Sequence, residues 1–143
     1  MNHGFMPIVV DARSPEDYQA WVQEQKEAQI AAAADAGKEF TMDELMQKGE
    51  AVYKTVCVAC HQANGEGIPP AFPALKGSKM VKEDMAAHID IVLNGKAGTA
   101  MQAFGAQLHD VDLAAVITYE RNAWGNSTGD IVQPTDIKAA RSK

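Results

Sequence analysis

The chain has 143 residues and a formal net charge of −6, with 46% hydrophobic and 6% aromatic residues. This length suits one ordinary domain with an appendage, and the acidic balance disfavours non-specific binding to nucleic acid. No run approaches the roughly 18 apolar residues that cross a bilayer. Because aromatic residues are few, the domain has little apolar bulk, and a buried cofactor would supply the missing core.

The amino-terminal segment is typical of a remnant of another domain. Residues 1–13 predict one β-strand centred on the β-branched run 8–10, and a lone strand has no pairing partner. Residues 14–40 predict a helix that begins at Ser14 and Pro15 and passes into an alanine-rich linker. The segment lacks the basic, apolar and small-residue order of a signal peptide. We therefore expect the sequence to be a piece of a larger protein.

The next helix leads directly into a chemical motif. Thr41 and Glu44 predict a capping box, and apolar residues then keep helical spacing up to the sequence CVACH, which contains Cys57, Cys60 and His61. C-x-x-C-H is the attachment signature of c-type haem, in which both thiols form thioether bonds and the histidine binds the iron. A redox disulfide would need a βαβ setting, and a zinc site would need a second ligand pair; the sequence has neither.

The remaining segments predict two more main helices. Residues 62–77 form a loop rich in Gly and Pro. A third helix is predicted over about Lys82–Leu93 and stops at Asn94-Gly95, and the last helix begins near Asp110. Residues 126–143 predict a polar tail with at most one helical turn.

The sixth iron ligand decides between electron transfer and catalysis, because methionine closes the site and an open position permits ligand binding. The candidates are Met80, Met85, His88, Met101 and His109. We predict Met101, since the glycines of its loop let the backbone pass close to a porphyrin face. We expect Met85 to pack in the core and His88 to be half-exposed beside it. Met80 follows His61 too soon in the chain.

Residues 41–125 resemble a class I cytochrome c domain. The resemblance lies in the capped helix with Gly49 and Tyr53, CVACH, the FPALKG segment, the methionine loop and a last helix with Tyr119. It implies an all-α fold of three main helices around a covalent haem, with the first and last helices crossing at Gly49. It also implies that the carbonyl of Pro73 accepts a hydrogen bond from His61. The expected pocket residues are Tyr53, Pro73, Leu75, Ile89 and Phe104.

The amino-terminal segment resembles the end of the cupredoxin domain of cytochrome c oxidase subunit II. In that family a Cys-x3-Cys-x3-His-x2-Met run binds a dinuclear copper centre, and His3 and Met6 match its last two ligands. Both cysteines would precede Met1, so copper is expected only in the full-length parent. The resemblance extends through ITYERNAWGN and GDIVQP to the tail of oxidases whose subunit II carries a fused cytochrome c.

The resemblance implies one-electron relay, with no catalytic residue in the domain itself. The donor would be a soluble or membrane-associated c-type cytochrome or a quinol-oxidising complex, and the acceptor the copper domain, beside the other oxidase subunits. We expect the periplasmic or extracytoplasmic face of the membrane, with a soluble fragment of an anchored parent. Lys76, Lys79 and Lys96 are candidate docking charges or ordinary solvated side chains. The alternatives are a free-standing monohaem carrier, and an enzyme or gas sensor with a labile sixth ligand.

Overall fold

The computed structural model describes residues 10–35 and 37–142, without the side chains at 28–29 and 31–34. The helices are α1 Pro15–Asp35, α2 Met42–Val56, α3 Val58–His61, α4 Lys79–Glu83, α5 Met85–Asn94, α6 Asp110–Asn122 and α7 Pro134–Arg141, with a 3-10 turn at Ala123–Gly125. The described residues contain no β-strand, only an isolated bridge between Ile68 and Phe72. The predicted all-α class is confirmed.

The chain divides into two compact units, Met1–Ala31 and Ala32–Lys143. In the first unit, residues 10–14 are exposed and belong to no helix or strand. Residues 10–13 therefore do not form the end of the predicted strand. The rest of that strand, with the copper-ligand candidates His3 and Met6, lies outside the described residues. Helix α1 is longer than predicted, because it continues through most of the alanine-rich stretch that we assigned to a linker.

The second unit is built on the crossing of α2 and α6. Helix α2 begins as predicted: the Thr41 hydroxyl accepts from the Glu44 N–H, and the Glu44 carboxylate accepts from the Thr41 N–H at 2.8 Å. At the crossing, a Cβ on Gly49 would lie 2.1 Å from the carbonyl oxygen of Ala115. Only glycine permits this close approach, so the predicted crossing at Gly49 is present. Around it lies a core of buried apolar residues, including Leu45, Tyr53, Ile89, Leu113, Val116 and Ile117.

The prediction of one helix over Lys82–Leu93 is wrong. Asp84 is extended (φ −126°, ψ 95°) and separates α4 from α5, and its carboxylate caps α5 by accepting from the Ala87 N–H at 2.9 Å. Met85 is the first residue of α5 and is 37% exposed, whereas His88, one turn further along the helix, is 2% exposed. The predictions of a buried Met85 and a half-exposed His88 are therefore both corrected.

The carboxyl-terminal tail is more ordered than the predicted polar tail. After the 3-10 turn the chain returns along α6, where the Val132 N–H donates to the Thr118 hydroxyl at 2.9 Å. It ends in the eight-residue helix α7, and the side chains of Val132 and Ile137 are fully buried. The few apolar residues of this segment show no periodicity in the sequence, so the pattern did not reveal their packing.

Candidate haem site

The C-x-x-C-H motif occupies one helical turn that follows α2. The N–H groups of Cys60 and His61 both donate to the Cys57 carbonyl, at 3.2 and 3.0 Å. Both cysteine side chains are half-buried. Burial raises the pKa of the Cys57 thiol, and the nearby Glu120 carboxylate raises it further. The turn therefore presents both sulfur atoms and the imidazole from one short segment.

The imidazole of His61 is oriented by a carbonyl group that lies twelve residues later in the sequence. Its Nδ1 lies 2.9 Å from the carbonyl oxygen of Pro73, the bond that the resemblance implied. Because a carbonyl can only accept, Nδ1 carries the proton, and Nε2 is the nitrogen left for a metal. Such a bond fixes the ring and increases its basicity as a ligand.

The loop that supplies Pro73 is tied back to the motif by backbone hydrogen bonds. The Gly67 N–H donates to the His61 carbonyl at 3.0 Å, and the Leu75 N–H donates to the Gly65 carbonyl at 2.8 Å. The Trp124 ring packs against Gly65, where an added Cβ would lie 2.5 Å from a ring carbon. These contacts hold the Pro73 carbonyl in place.

An aromatic cluster supports this side of the site. Tyr53 lies 5.5 Å from Tyr119 and 4.9 Å from Trp124, measured between ring centroids. The Tyr53 hydroxyl donates to the Gln62 carbonyl at 2.7 Å, directly after the motif. Trp124 follows the last helix and lies in the 3-10 turn with a positive φ of 54°. There its ring completes the cluster and its indole N–H donates to the Ala63 carbonyl.

Met101 lies in the loop between α5 and α6, half-buried against the same hydrophobic core. The Lys96 N–H donates to the Met101 carbonyl at 3.0 Å. Gly95 begins the loop with φ of 72°, and an added Cβ would lie 2.8 Å from that carbonyl oxygen. Glycine is required at this position because the backbone of the loop itself is crowded, and the close approach to a porphyrin face stays a prediction. Phe104, predicted in the pocket, is buried.

The other candidate ligands occupy different settings. Met80 is half-buried on α4, Met85 is exposed on α5, and His109 is exposed where α6 begins. His88 is paired with Glu120, with 2.9 Å between Nε2 and Oε2. In the described part of the chain, no group of three or more His, Cys, Asp or Glu side chains could hold a metal ion.

These residues fit a covalently bound haem. Several partly exposed apolar residues pack against the hydrophobic core, and they come from the motif, the FPALKG segment and the methionine loop: Cys57, Val58, Leu75, Met101 and Leu108. Apolar side chains of this kind suit a flat apolar macrocycle, while two thiols and one oriented imidazole supply its attachment. Leu75 is thus half-buried and the predicted pocket residue Ile89 is buried.

The comparison with known families agrees with this geometry. The family described as cytochrome C oxidase, cbb3-type, subunit III matches residues 44–119, just over half of the chain. The chain belongs to this family. It is therefore a cytochrome c domain, and domains of this type carry haem c, which supplies an iron that gains and loses one electron.

Individual relatives of this cytochrome c domain come from several settings. It is 33% identical over 96 residues to cytochrome c-552 of Thermus thermophilus, covering 58% of this chain and 65% of that protein. It is 30% identical to the cytochrome c subunit of the quinone alcohol dehydrogenase of Gluconobacter oxydans, covering 66% of this chain and 22% of that protein. It is 32% identical to the cbb3-type cytochrome c oxidase subunit CcoP of Azospirillum, covering 65% of this chain and 31% of that protein. The domain thus spans from about a fifth to about two thirds of these relatives.

Several structural residues of the cytochrome c domain escaped sequence reasoning. The amide of Asn126 is buried, accepts from the Gly77 N–H at 2.7 Å and donates to the Glu120 carbonyl at 2.7 Å, so it joins the FPALKG segment to α6. Arg121 is 2% exposed and pairs with Asp130. Charged and amide side chains carry no periodic signal for such tertiary contacts. No helix among the described residues has both the length and the apolar character needed to cross a membrane.

Proposed function

We propose that this domain transfers single electrons through a haem that is attached at Cys57 and Cys60, with His61 and Met101 as iron ligands. The observation that carries the proposal is the hydrogen bond from the His61 ring to the Pro73 carbonyl, which leaves Nε2 for iron. Met101 supports it as the second ligand, because it is half-buried and packs against the same core cluster as Cys57. Histidine and methionine together leave no open coordination position and favour electron transfer.

The direct test is the far-red absorption band of a ferric iron–sulfur bond. The band is expected in the ferric protein. Met101→Ala should lose the band and should have a lower redox potential than the unmodified protein. Met85→Ala is the matched control, because it removes a methionine that is exposed on α5, and its band should persist. Ready binding of carbon monoxide to the ferrous unmodified protein would instead favour a sensor or enzyme with a labile ligand.

The proposed setting is subunit II of a bacterial haem–copper oxidase, at the extracytoplasmic face of the membrane. A c-type cytochrome or quinol-oxidising complex would donate, and the dinuclear copper centre of the same subunit would accept. The support is the pairing of His3 and Met6 with a following cytochrome c domain in one sequence. Oxygen reduction would belong to the parent complex, and this domain would only relay electrons.

A free-standing electron carrier is the second candidate, favoured by the match over 65% of the length of cytochrome c-552. The two candidates differ in metal content. The native full-length protein, isolated from cells, should contain copper with the electron paramagnetic resonance of a dinuclear centre. A native protein with haem and no copper would favour the carrier and overturn the subunit II assignment.

A further inference from the structure

The last residue of the carboxyl-terminal helix reaches the methionine loop. Arg141 ends α7, and its guanidinium donates to three oxygen atoms: the Gly105 carbonyl, the Leu108 carbonyl at 2.9 Å and the Asp110 carboxylate at 2.6 Å. All three acceptors lie between Met101 and the first turn of α6. One side chain therefore fixes the carboxyl-terminal half of the loop that contains Met101.

Helix α7 is itself firmly attached at its other end. The Gln133 amide, one residue before the helix, accepts from the Phe40 N–H at 3.0 Å and donates to the Phe40 carbonyl at 2.8 Å. Ile137, one turn before Arg141, is fully buried. The guanidinium is thus presented from a fixed support, and its side chain is only 32% exposed.

Near Arg141 the loop is otherwise held by the buried Phe104 side chain and by the N–H groups of Phe104 and Gly105, which donate to the Val92 and Leu93 carbonyls at 3.0 Å. Residues 102, 103, 106 and 107 are exposed. Loops with few buried side chains open locally at low free-energy cost. The matched family region ends at residue 119, so α7 lies beyond it.

We propose that Arg141 is a positioning residue for Met101: by holding residues 105–110 it keeps the thioether against the iron. The inference rests on the proposed ligation by Met101. If the loop opens, the sulfur leaves the iron before the domain unfolds, and an external ligand can replace it. A merely structural α7 would change the stability of the whole domain and leave the exchange of Met101 unaffected.

The test measures replacement of Met101 in the ferric holoprotein, with imidazole as the external ligand. Arg141→Ala should weaken the far-red band and increase the rate of imidazole binding about tenfold, since hydrogen bonds to charged groups are lost. Arg141→Lys keeps the charge without the three-point geometry and should give an intermediate rate. Amide hydrogen exchange over residues 101–109 should increase in the same order.

Two control variants separate positioning from general stability. Asp84→Ala removes the cap of α5 and lowers stability without touching the loop, and Lys138→Ala removes an exposed positive charge from α7. Both should retain the imidazole rate of the unmodified protein. The inference is overturned if Arg141→Ala binds imidazole no faster than Asp84→Ala.

A further variant covers the case in which Arg141→Ala does not fold. Asp110→Asn removes one charged acceptor and leaves the two carbonyl contacts, so it should increase the imidazole rate by a smaller factor; an unchanged rate in both Asp110→Asn and Arg141→Lys overturns the inference. Failure of the proposed function looks different. The unmodified protein would then lack the far-red band, or Met101→Ala would leave it unchanged.

Discussion

The two sides of the candidate haem site are held in different ways. The histidine side, residues 49–76, rests on the α2–α6 crossing, on three mutually packed aromatic rings and on backbone hydrogen bonds around His61. The methionine side, residues 95–109, is a loop in which Phe104 is buried and most other residues are half-buried or exposed. Its ties are a few backbone hydrogen bonds and the guanidinium of Arg141.

This difference separates global from local stability. Opening the histidine side requires the helices to part, so its free energy should equal that of unfolding the domain. Opening the methionine side breaks only loop contacts and should occur while the helices stay packed. Substitutions on the histidine side should therefore lower the free energy of unfolding. Substitutions on the methionine side should first increase the rate at which an external ligand replaces Met101.

The largest effect is expected at the helix crossing. Gly49→Val should lower the free energy of unfolding by about 3 kcal/mol or more, because the added Cβ would overlap the Ala115 carbonyl and the backbone cannot give way cheaply. Urea denaturation of the holoprotein measures this. The far-red band of the molecules that remain folded should be unchanged.

Ala51→Val is the matched control for the crossing. Residue 51 lies two positions along the same helix and is exposed, so the substitution should cost about 0.5 kcal/mol through helix propensity alone. Equal losses in the two variants would contradict the assignment of Gly49 to a close crossing. Loss of the far-red band before unfolding would contradict the separation of the two sides.

A smaller effect is expected at the buried pair of His88 and Glu120. Glu120→Ala should cost about 2–3 kcal/mol, because it leaves the His88 ring buried without its acceptor. The Nδ1 atom of His88 already has no hydrogen-bond partner among the described residues. Glu120→Gln keeps a carbonyl oxygen within reach of Nε2 and should cost less than about 1 kcal/mol.

The Glu120 carboxylate also raises the pKa of the Cys57 thiol. The buried pair of His88 and Glu120 therefore lies close to the C-x-x-C-H motif. The Glu120 variants should therefore behave like substitutions on the histidine side: the unfolding transition shifts and the rate of imidazole binding is unchanged. Faster imidazole binding in Glu120→Ala would show instead that the loss of the His88 contact is transmitted along α5 into the methionine loop. That loop begins where α5 ends.

Sequence reasoning succeeded where one residue type has one physical use. The C-x-x-C-H spacing and the capping box at Thr41 each follow from local geometry, whereas the close contact at Gly49 was implied by the family resemblance. It failed where a polar side chain chooses its partner through the tertiary structure. His88 sits beside an apolar stripe, and nothing local distinguishes an exposed imidazole from one that is buried against a carboxylate 32 residues away.

The carboxyl-terminal segment shows the same limit. Arg141 is one of thirteen Lys and Arg residues, and only the path of the chain after α6 brings it to Gly105. That path depends on Thr118, Val132 and Asp130, which are spread over a segment without periodicity. A polar tail was the reasonable expectation, because three large apolar residues without helical or strand periodicity predict no core.

The smallest effect is expected where this segment is tied to α6. A hydrogen bond from Arg121 lowers the pKa of Asp130 below its ordinary value of 3.8. A carboxyl with a lowered folded-state pKa stabilises the fold above its unfolded-state pKa, and that stability is lost as the pH falls through the lower value. Asp130→Asn should therefore cost less than about 1 kcal/mol at pH 7, since the carboxylate is 43% exposed.

The difference between Asp130→Asn and the unmodified protein should stay constant from pH 7 to about 4 and shrink as the pH falls further, as measured by urea denaturation at each pH. Glu39→Gln is the control, because Glu39 is exposed and lies outside the helices. A difference that stays constant down to the lowest pH would mean that the ion pair is not its source. Because Asp130 lies on the segment that leads to α7, the imidazole rate should also rise slightly, and by less than in Arg141→Lys. A higher imidazole rate without any loss of stability would mean that Asp130 supports only the methionine loop and not the fold as a whole.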